Sequence, residues 1–204
     1  MLFDDTYKTI AAPAEGIFRD RGSKFLAFAY PIRSEDQIKE IVAGLKAEHP
    51  KARHHCWAMR LTIDRSVFKL NDDGEPSGTA GRPILNTLLS KDITNTLVVV
   101  VRYFGGTLLG VPGLINAYKT ATEDVLANAQ IVEKTVNDIY TISFDYLQMN
   151  DVMRLIKDVD LQIIAQQFDN NCSIQVSIRK MQVNTILAKL DKIQGANVKY
   201  DYSL

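Results

Sequence analysis

An acidic, glycine-rich segment at residues 71–81 is the first part of the sequence that could carry chemistry. It reads Asn-Asp-Asp-Gly-Glu-Pro-Ser-Gly-Thr-Ala-Gly and precedes a predicted helix. Glycine lets backbone N–H groups approach a ligand, and a helix N-terminus favours an anion. The candidate ligand-binding residues of this segment are Asp72, Asp73, Gly74, Glu75, Ser77, Gly78 and Thr79.

The three carboxylates of this segment leave two interpretations open. They would repel a bare phosphate, so a binding role would involve either a bound divalent cation or an inward network that shapes the loop. The competing structural interpretation is an Asx-turn and N-cap assembly, in which the aspartates accept hydrogen bonds from their own backbone.

A second glycine-rich segment, residues 102–113, joins a strong strand to a helix. It matches neither G-x-G-x-x-G nor the phosphate-loop pattern, so the generic nucleotide-binding interpretations fail. Arg102 stands where the strand ends and could hold a carboxylate or phosphate. It could equally pair with one of the acidic residues of the first segment. The candidate ligand-binding residues here are Arg102, Tyr103, Gly105, Gly106 and Gly110.

A third segment contains His54, His55 and Cys56. Residues 54 and 56 lie on one face of a predicted strand, about 7 Å apart. A Cys–His pair could support nucleophilic catalysis or one edge of a metal site. A carboxylate or His54 could act as a general base. The catalytic candidates are His54, Cys56 and Glu75. The competing interpretation is simple packing, which is the commoner role of such residues, and we predict no metal site.

Alternating strand and helix patterns position these segments in the first 130 residues. Residues 96–101 form the strongest predicted strand, and their continuous β-branched run indicates burial on both faces. Ser34 is the predicted N-cap of a helix, with Gln37 completing a capping box. The other predicted elements are a turn within residues 16–22, strands at 24–32 and 54–63, and helices at 79–89 and from residue 114.

The last 70 residues contain less glycine and follow a different order. Predicted strands at 139–144, 161–168, 172–178 and 196–202 are interrupted by helices at 150–159 and 183–193. The turn signal at 169–171 joins the middle two strands. The order β-α-β-β-α-β is typical of a ferredoxin-like domain. We therefore predict an α+β protein with domains at 1–130 and 135–204, joined by a linker within residues 128–137.

Composition narrows the function classes. The chain has 204 residues, with 24 basic and 24 acidic side chains and a formal net charge of zero. The zero net charge disfavours a protein that coats nucleic acid irrespective of sequence. It does not exclude a local basic patch, for which the candidate residues are Lys51, Arg53, Arg60, Arg82 and Arg102. Apolar runs such as residues 97–101 are far too short for a membrane helix. Two cysteines form no disulfide framework, so we expect a reduced, cytoplasmic protein. We also expect no membrane partner and no DNA partner.

At these segments the chain resembles the YigZ/IMPACT family. The resemblance rests on the run from Asp72 to Leu85, on residues 98–106 with Leu109-Gly110, Gly113-Leu114 and Ala117-Tyr118, and on Ala52 to Ala58. It covers the whole predicted first domain, and the second resembles the C-terminal domain of the bacterial YigZ branch. Val111-Pro112 departs from the small residues usual in the family, and Pro112 removes one backbone donor.

The resemblance implies a fold and a role. The first domain would have the ribosomal-protein-like α/β fold of elongation factor G domain IV, and the second would resemble domain V of that factor. The implied function is a non-enzymatic regulator that contacts the translation machinery through the ribosome, RNA or a ribosome-associated protein. The alternative is an enzyme or sensor that binds a small anionic ligand, with or without a divalent cation, between the two glycine-rich motifs. The residues name no cofactor and no oligomeric state.

Overall fold

A computed structural model describes residues 5–168 and 172–203 of the chain. The structure is a mixture of helices and several β-sheets. Two compact units can be distinguished, one formed by Tyr7–Lys134 and the other by the described residues outside that range. No helix in the described part of the chain is long and apolar enough to cross a bilayer.

The strands and helices of the first unit follow the order that the sequence patterns suggest, with four strands that those patterns did not predict. The elements are β1 (Thr6–Ile10), β2 (Ala14–Asp20), β3 (Ser23–Pro31), α1 (Asp36–Glu48), β4 (His54–Leu61), β5 (Val67–Asn71), α2 (Gly81–Ser90), β6 (Thr96–Tyr103), α3 (Gly110–Asn128) and β7 (Ile131–Thr135). β1 pairs with β7, and the other strands form a five-stranded sheet in the order β2-β3-β6-β4-β5.

Strand β6 lies at the centre of this sheet and is buried on both faces, as its β-branched run predicted. Val98 and Val100 pack into a core cluster with residues of α2 and α3. Val99 and Val101 pack into a second cluster with residues of α1. Because β3 and β4 both pair antiparallel with β6, the sheet holds the side chains at the end of β6 in a fixed register.

Local signals placed several boundaries incorrectly. Helix α1 begins at Asp36 rather than directly after Ser34. Gln37 Oε1 still accepts hydrogen bonds from the N–H groups of Arg33 and Ser34, so the signal was real but marked the preceding turn. The predicted turn at 16–22 is mostly strand, and the hairpin turns only at Arg21–Gly22. The predicted linker contains β7, because pairing with β1 compensates for its weak periodicity.

The second unit contains β8 (Asn137–Phe144), α4 (Met149–Asp158), β9 (Gln162–Phe168), β10 (Cys172–Arg179), α5 (Val183–Leu190) and β11 (Asn197–Ser203). Its strands form an antiparallel sheet in the order β11-β8-β10-β9. The core combines alternate residues of β8 and β10 with the apolar stripes of α4 and α5. The predicted turn at 169–171 lies outside the described residues.

Candidate functional site

The three segments identified in the sequence meet around a groove in the first unit. The register places His54 of β4 opposite Arg102 of β6, and Phe25 of β3 opposite Arg102 on its other side. The loop between β5 and α2 and the start of α3 complete the walls. The cavity has a volume of about 490 Å³ and is lined by Arg53, His54, Glu75, Pro76, Arg102, Phe104, Leu108, Leu109, Gly110, Val111 and Leu114.

A buried ion pair between Arg102 and Glu75 lies in this groove. Arg102 Nη1 donates to Glu75 Oε1 over 2.6 Å, and the Tyr118 hydroxyl donates to the same oxygen over 2.8 Å. All three residues are buried. A buried charge needs a partner and additional hydrogen bonds to offset its lost hydration. The pair therefore fixes the acidic loop against β6 and α3, and it identifies Glu75 as the partner among the three predicted carboxylates.

The guanidinium of Arg102 also lies close to two aromatic rings. Its Cζ lies 5.5 Å from the ring centroid of Phe25 and 5.7 Å from that of Phe104. Such contacts attract a cation and restrict its plane. The Nε atom of Arg102 is buried and has no hydrogen-bond partner among the described residues. One edge of a positioned guanidinium is therefore left without an acceptor from this part of the chain.

The Asp72 side chain caps the N-terminus of helix α2, although Asp72 precedes the helix by nine residues. Its Oδ1 accepts hydrogen bonds from the N–H groups of Ala80 and Gly81, and its Oδ2 accepts one from Gly78. The N–H groups of Ala80 and Gly81 lie at the helix start, where N–H groups have no intrahelical partners. The geometry agrees with the structural interpretation of this loop, in which its carboxylates satisfy backbone donors.

Asp73 connects the same loop to β4 and α1. One of its oxygens accepts from the His55 N–H over 2.7 Å, and the other accepts from Lys46 Nζ over 3.0 Å. Burial acts to raise the pKa of Asp73, but these two partners outweigh it and hold the pKa below its ordinary value. The carboxylate is therefore ionised and engaged at neutral pH.

Cys56 is a core residue of β4. Its Sγ lies 3.0 Å from the Asp72 carbonyl oxygen and 3.3 Å from the Tyr118 hydroxyl, with no exposed surface. Burial raises the pKa of this thiol far above its ordinary value. Because the thiolate is the reactive form, we expect Cys56 to be unreactive at neutral pH.

His54 is the one catalytic candidate of β4 that lines the groove. Its Nδ1 lies 2.9 Å from the Asp73 carbonyl oxygen. A carbonyl only accepts, so Nδ1 carries the proton and Nε2 is the acceptor in the neutral ring. A ring in this tautomer can accept a hydrogen bond from a ligand.

Some of the predicted site residues line the groove, and the others do not. His54, Glu75, Arg102 and Gly110 line the cavity. The residues that do not line it are Cys56, Asp72, Asp73, Gly74, Ser77, Gly78, Thr79, Tyr103, Gly105 and Gly106. Among these, Tyr103 contacts His49 through its hydroxyl, and Thr79 donates to the Pro76 carbonyl. Their binding roles remain predictions.

Sequence reasoning missed the apolar wall of the groove. Phe104, Leu108 and Val111 are exposed despite their hydrophobicity, and Leu108 has 81% of its surface open to solvent. The signal that could have shown it was the apolar Leu108-Leu109 pair in the glycine-rich loop, of which only Leu109 belongs to the core. Within the described ranges, no three His, Cys, Asp or Glu side chains come together as metal ligands would.

Comparison with known proteins supports the family resemblance. The model of the Impact N-terminal domain matches residues 21–126. IMPACT family member YigZ of Escherichia coli (strain K12) is 33% identical over 182 residues, which span 88% of this chain and 89% of that protein.

Two solved structures are also similar. A crystal structure of a hypothetical protein is 30% identical, covers 95% of this chain and 96% of its own, and superposes with a TM-score of 0.71. Yih1, described as a two-domain translational regulator, is 31% identical across 63% of this chain and 49% of its own, with a TM-score of 0.36. From the extent of the YigZ match and the domain model together, this chain belongs to the IMPACT family.

Proposed function

We propose that this protein is a non-enzymatic regulator that contacts the translation machinery through the groove around Arg102. The observation that carries the proposal is the composition of that groove. It combines the exposed side chains of Arg53 and Leu108 with a buried Arg102 that is paired with Glu75. Family membership supports the class of partner, since the resemblance implies control of translation.

The chemistry of the groove supports a binding role over catalysis. Glu75 is engaged by Arg102 and Tyr118, and the thiol of Cys56 is buried and protonated. Neither is available as a nucleophile or a general base in this arrangement. His54 retains an acceptor nitrogen but has no activated nucleophile among its described contacts.

Co-sedimentation with ribosomes tests the role. We expect the full chain to pellet with ribosomes at low salt and to dissociate as the salt concentration rises. Arg53→Glu and Leu108→Asp alter exposed groove side chains and should each weaken the association at least tenfold. Matched controls are Arg33→Glu and Phe68→Asp, which change exposed residues outside the groove. Absence of ribosome or RNA association at low salt would remove the proposal.

A second candidate function is a sensor for a small anionic ligand. The Nε of Arg102, which has no hydrogen-bond partner in the described part of the chain, favours it, because a buried donor gains most from an acceptor. A thermal-shift screen with inorganic phosphate, carboxylates and nucleotides tests it. A ligand at 100 times its dissociation constant stabilises the folded state by about 2.7 kcal/mol, so a true ligand should raise the Tm measurably. No change with any of these anions would reject this candidate.

We also propose the finer fold assignments. The sheet order β11-β8-β10-β9, with α4 and α5 contributing to its core, supports a ferredoxin-like domain at 135–204. For 1–130 the family resemblance supports the ribosomal-protein-like fold of elongation factor G domain IV. Limited proteolysis of the full chain tests the boundary: cleavage within 128–137 should precede cleavage inside either unit. Earlier cleavage within β6 or β10 would contradict it.

A further inference from the structure

We propose that the groove binds a short peptide segment of a partner protein, in which a carboxylate stands beside an aliphatic or aromatic side chain. The inference rests on the proposed function, since it names the chemistry of the partner at the same surface. The partner is a peptide rather than an RNA because of the geometry of Arg102, the charge of the groove and the exposure of its apolar wall.

Arg102 is the residue that would bind the carboxylate of the peptide. Only 5% of this residue is exposed, it lines the cavity, and its Nε lacks a partner among the described residues. A guanidinium can pair with one carboxylate along its two terminal nitrogens and with another along its Nε edge. Glu75 occupies Nη1, and the rings of Phe25 and Phe104 hold the plane. The Nε atom therefore lacks an acceptor among the described residues, and a ligand carboxylate in the cavity would supply one.

The charge balance of the groove favours a single carboxylate over a phosphate chain. The charged residues that line it are Arg53, Arg102 and Glu75, which give one net positive charge when His54 is neutral. An RNA backbone carries a charge at each nucleotide and needs several basic side chains along its path. One carboxylate, shared by Arg102 and Arg53, matches the charge that the groove offers.

The apolar wall of the groove would contact the neighbouring apolar side chain of the peptide. Leu108 is 81% exposed, and Phe104 and Val111 are each about half exposed beside it. Leu114 and Pro76 extend the same lining. Clustered exposed apolar side chains rimmed by polar groups mark interaction surfaces. A small polar anion would leave this wall in water, whereas a leucine, isoleucine, methionine or phenylalanine of a peptide would cover it.

Selection from a displayed library of random octapeptides tests the inference on the full chain. We expect enrichment of Asp or Glu within two positions of Leu, Ile, Met or Phe. The most enriched peptide, labelled with a fluorophore, is then titrated by fluorescence anisotropy. Arg53→Glu and Leu108→Asp should each weaken its binding at least tenfold, whereas Arg33→Glu and Phe68→Asp should change it less than twofold. Circular dichroism verifies that all four variants are folded.

Three outcomes would overturn the inference. They are the absence of an acidic–apolar pair among selected peptides, a selected peptide that the groove variants bind as well as the parent chain, and tighter binding of a twelve-nucleotide RNA that the groove variants lose. The proposed function fails separately. If the parent chain selects such peptides but does not pellet with ribosomes, the translation role is wrong and the peptide site stands. If ribosome association requires the groove but no such peptide is selected, the peptide site is wrong and the translation role stands.

Discussion

Arg102 Nη1 lies 2.6 Å from Glu75 Oε1, and more than nine-tenths of each side chain is removed from solvent. The two residues are 27 positions apart in the chain, on β6 and on the loop that precedes α2. Their pairing links the acidic motif to the end of the central strand. It leaves the Nε of Arg102 buried without a hydrogen-bond partner among the described residues.

Glu75→Gln should lower the free energy of unfolding by about 3–5 kcal/mol, because it leaves the charge of Arg102 buried without a counter-charge. Urea unfolding measures the loss. Glu123→Gln is the matched control, since it removes an exposed partner of Lys119 at 3.8 Å and should cost less than about 0.5 kcal/mol.

The same substitution in an Arg102→Met background distinguishes a charge effect from simple packing. With the Arg102 cation removed, the cost of Glu75→Gln should fall well below its value in the parent chain. Costs that add to within about 0.5 kcal/mol would show that the two residues do not interact energetically. Equal losses from single changes at both residues, with no change in peptide or ribosome binding, would indicate a purely structural pair.

Gly105→Ala should destabilise the first unit by about 2 kcal/mol or more. A Cβ at this position would lie 1.9 Å from the backbone carbon of Gly22, so the hairpin and the glycine-rich loop would have to separate. Thermal unfolding followed by circular dichroism measures the effect.

Gly44→Ala provides the matched control for Gly105→Ala. Gly44 lies inside α1, and an added Cβ there meets nothing within 4 Å. Alanine reduces the entropy that the unfolded chain loses, so this change should stabilise the protein by about 0.5–1 kcal/mol. A Gly105→Ala variant as stable as the parent chain would show that the loop can move away from Gly22.

Native Cys56 should not react with a thiol reagent at pH 8. Burial raises its pKa and also blocks access to Sγ. Cys172 is buried as well, so reaction with 5,5′-dithiobis(2-nitrobenzoate) should appear only after unfolding in guanidinium chloride. Ser77→Cys, at an exposed position of the acidic loop, is the positive control and should react at once. Rapid labelling of Cys56 in the native protein would revive the nucleophile hypothesis.

Asp5 should contribute stability that disappears in acid. Arg179 donates to its carboxylate from Nε and Nη2 over 2.7 and 2.9 Å, and these hydrogen bonds hold the pKa of Asp5 below its ordinary value. The folded state therefore binds the proton less readily than the unfolded state. The contribution is complete above about pH 4 and declines as the pH falls through the folded pKa.

Asp5→Asn should accordingly lower the Tm at pH 7, and the difference from the parent chain should shrink as the pH falls below about 4. Asp158→Asn, at an exposed position of the same unit, should show no such pH-dependent difference. A Tm difference for Asp5→Asn that stays constant between pH 7 and pH 3 would contradict the assignment of the shift to the Arg179 pair.

Much of the fold could be predicted from local patterns. The alternation in residues 54–61 places Cys56 and Ala58 in one core cluster and Met59 and Leu61 in the other, as observed. β1, β5 and β7 were missed because they are five-residue strands whose stability comes from pairing rather than from their own periodicity. The candidate site was predicted as a meeting of three segments, but not as a groove with an apolar wall.

The sequence by itself determined which faces of the long strands and helices are buried, because a period of 2 or 3.6 residues is a local property. It also determined the family, through motifs at residues 72–85 and 98–118. Only the tertiary structure decided that Glu75, rather than Asp72 or Asp73, pairs with Arg102. That choice depends on the register of β4 and β6 and on the path of a loop, which join residues too distant in the chain for any local pattern to relate.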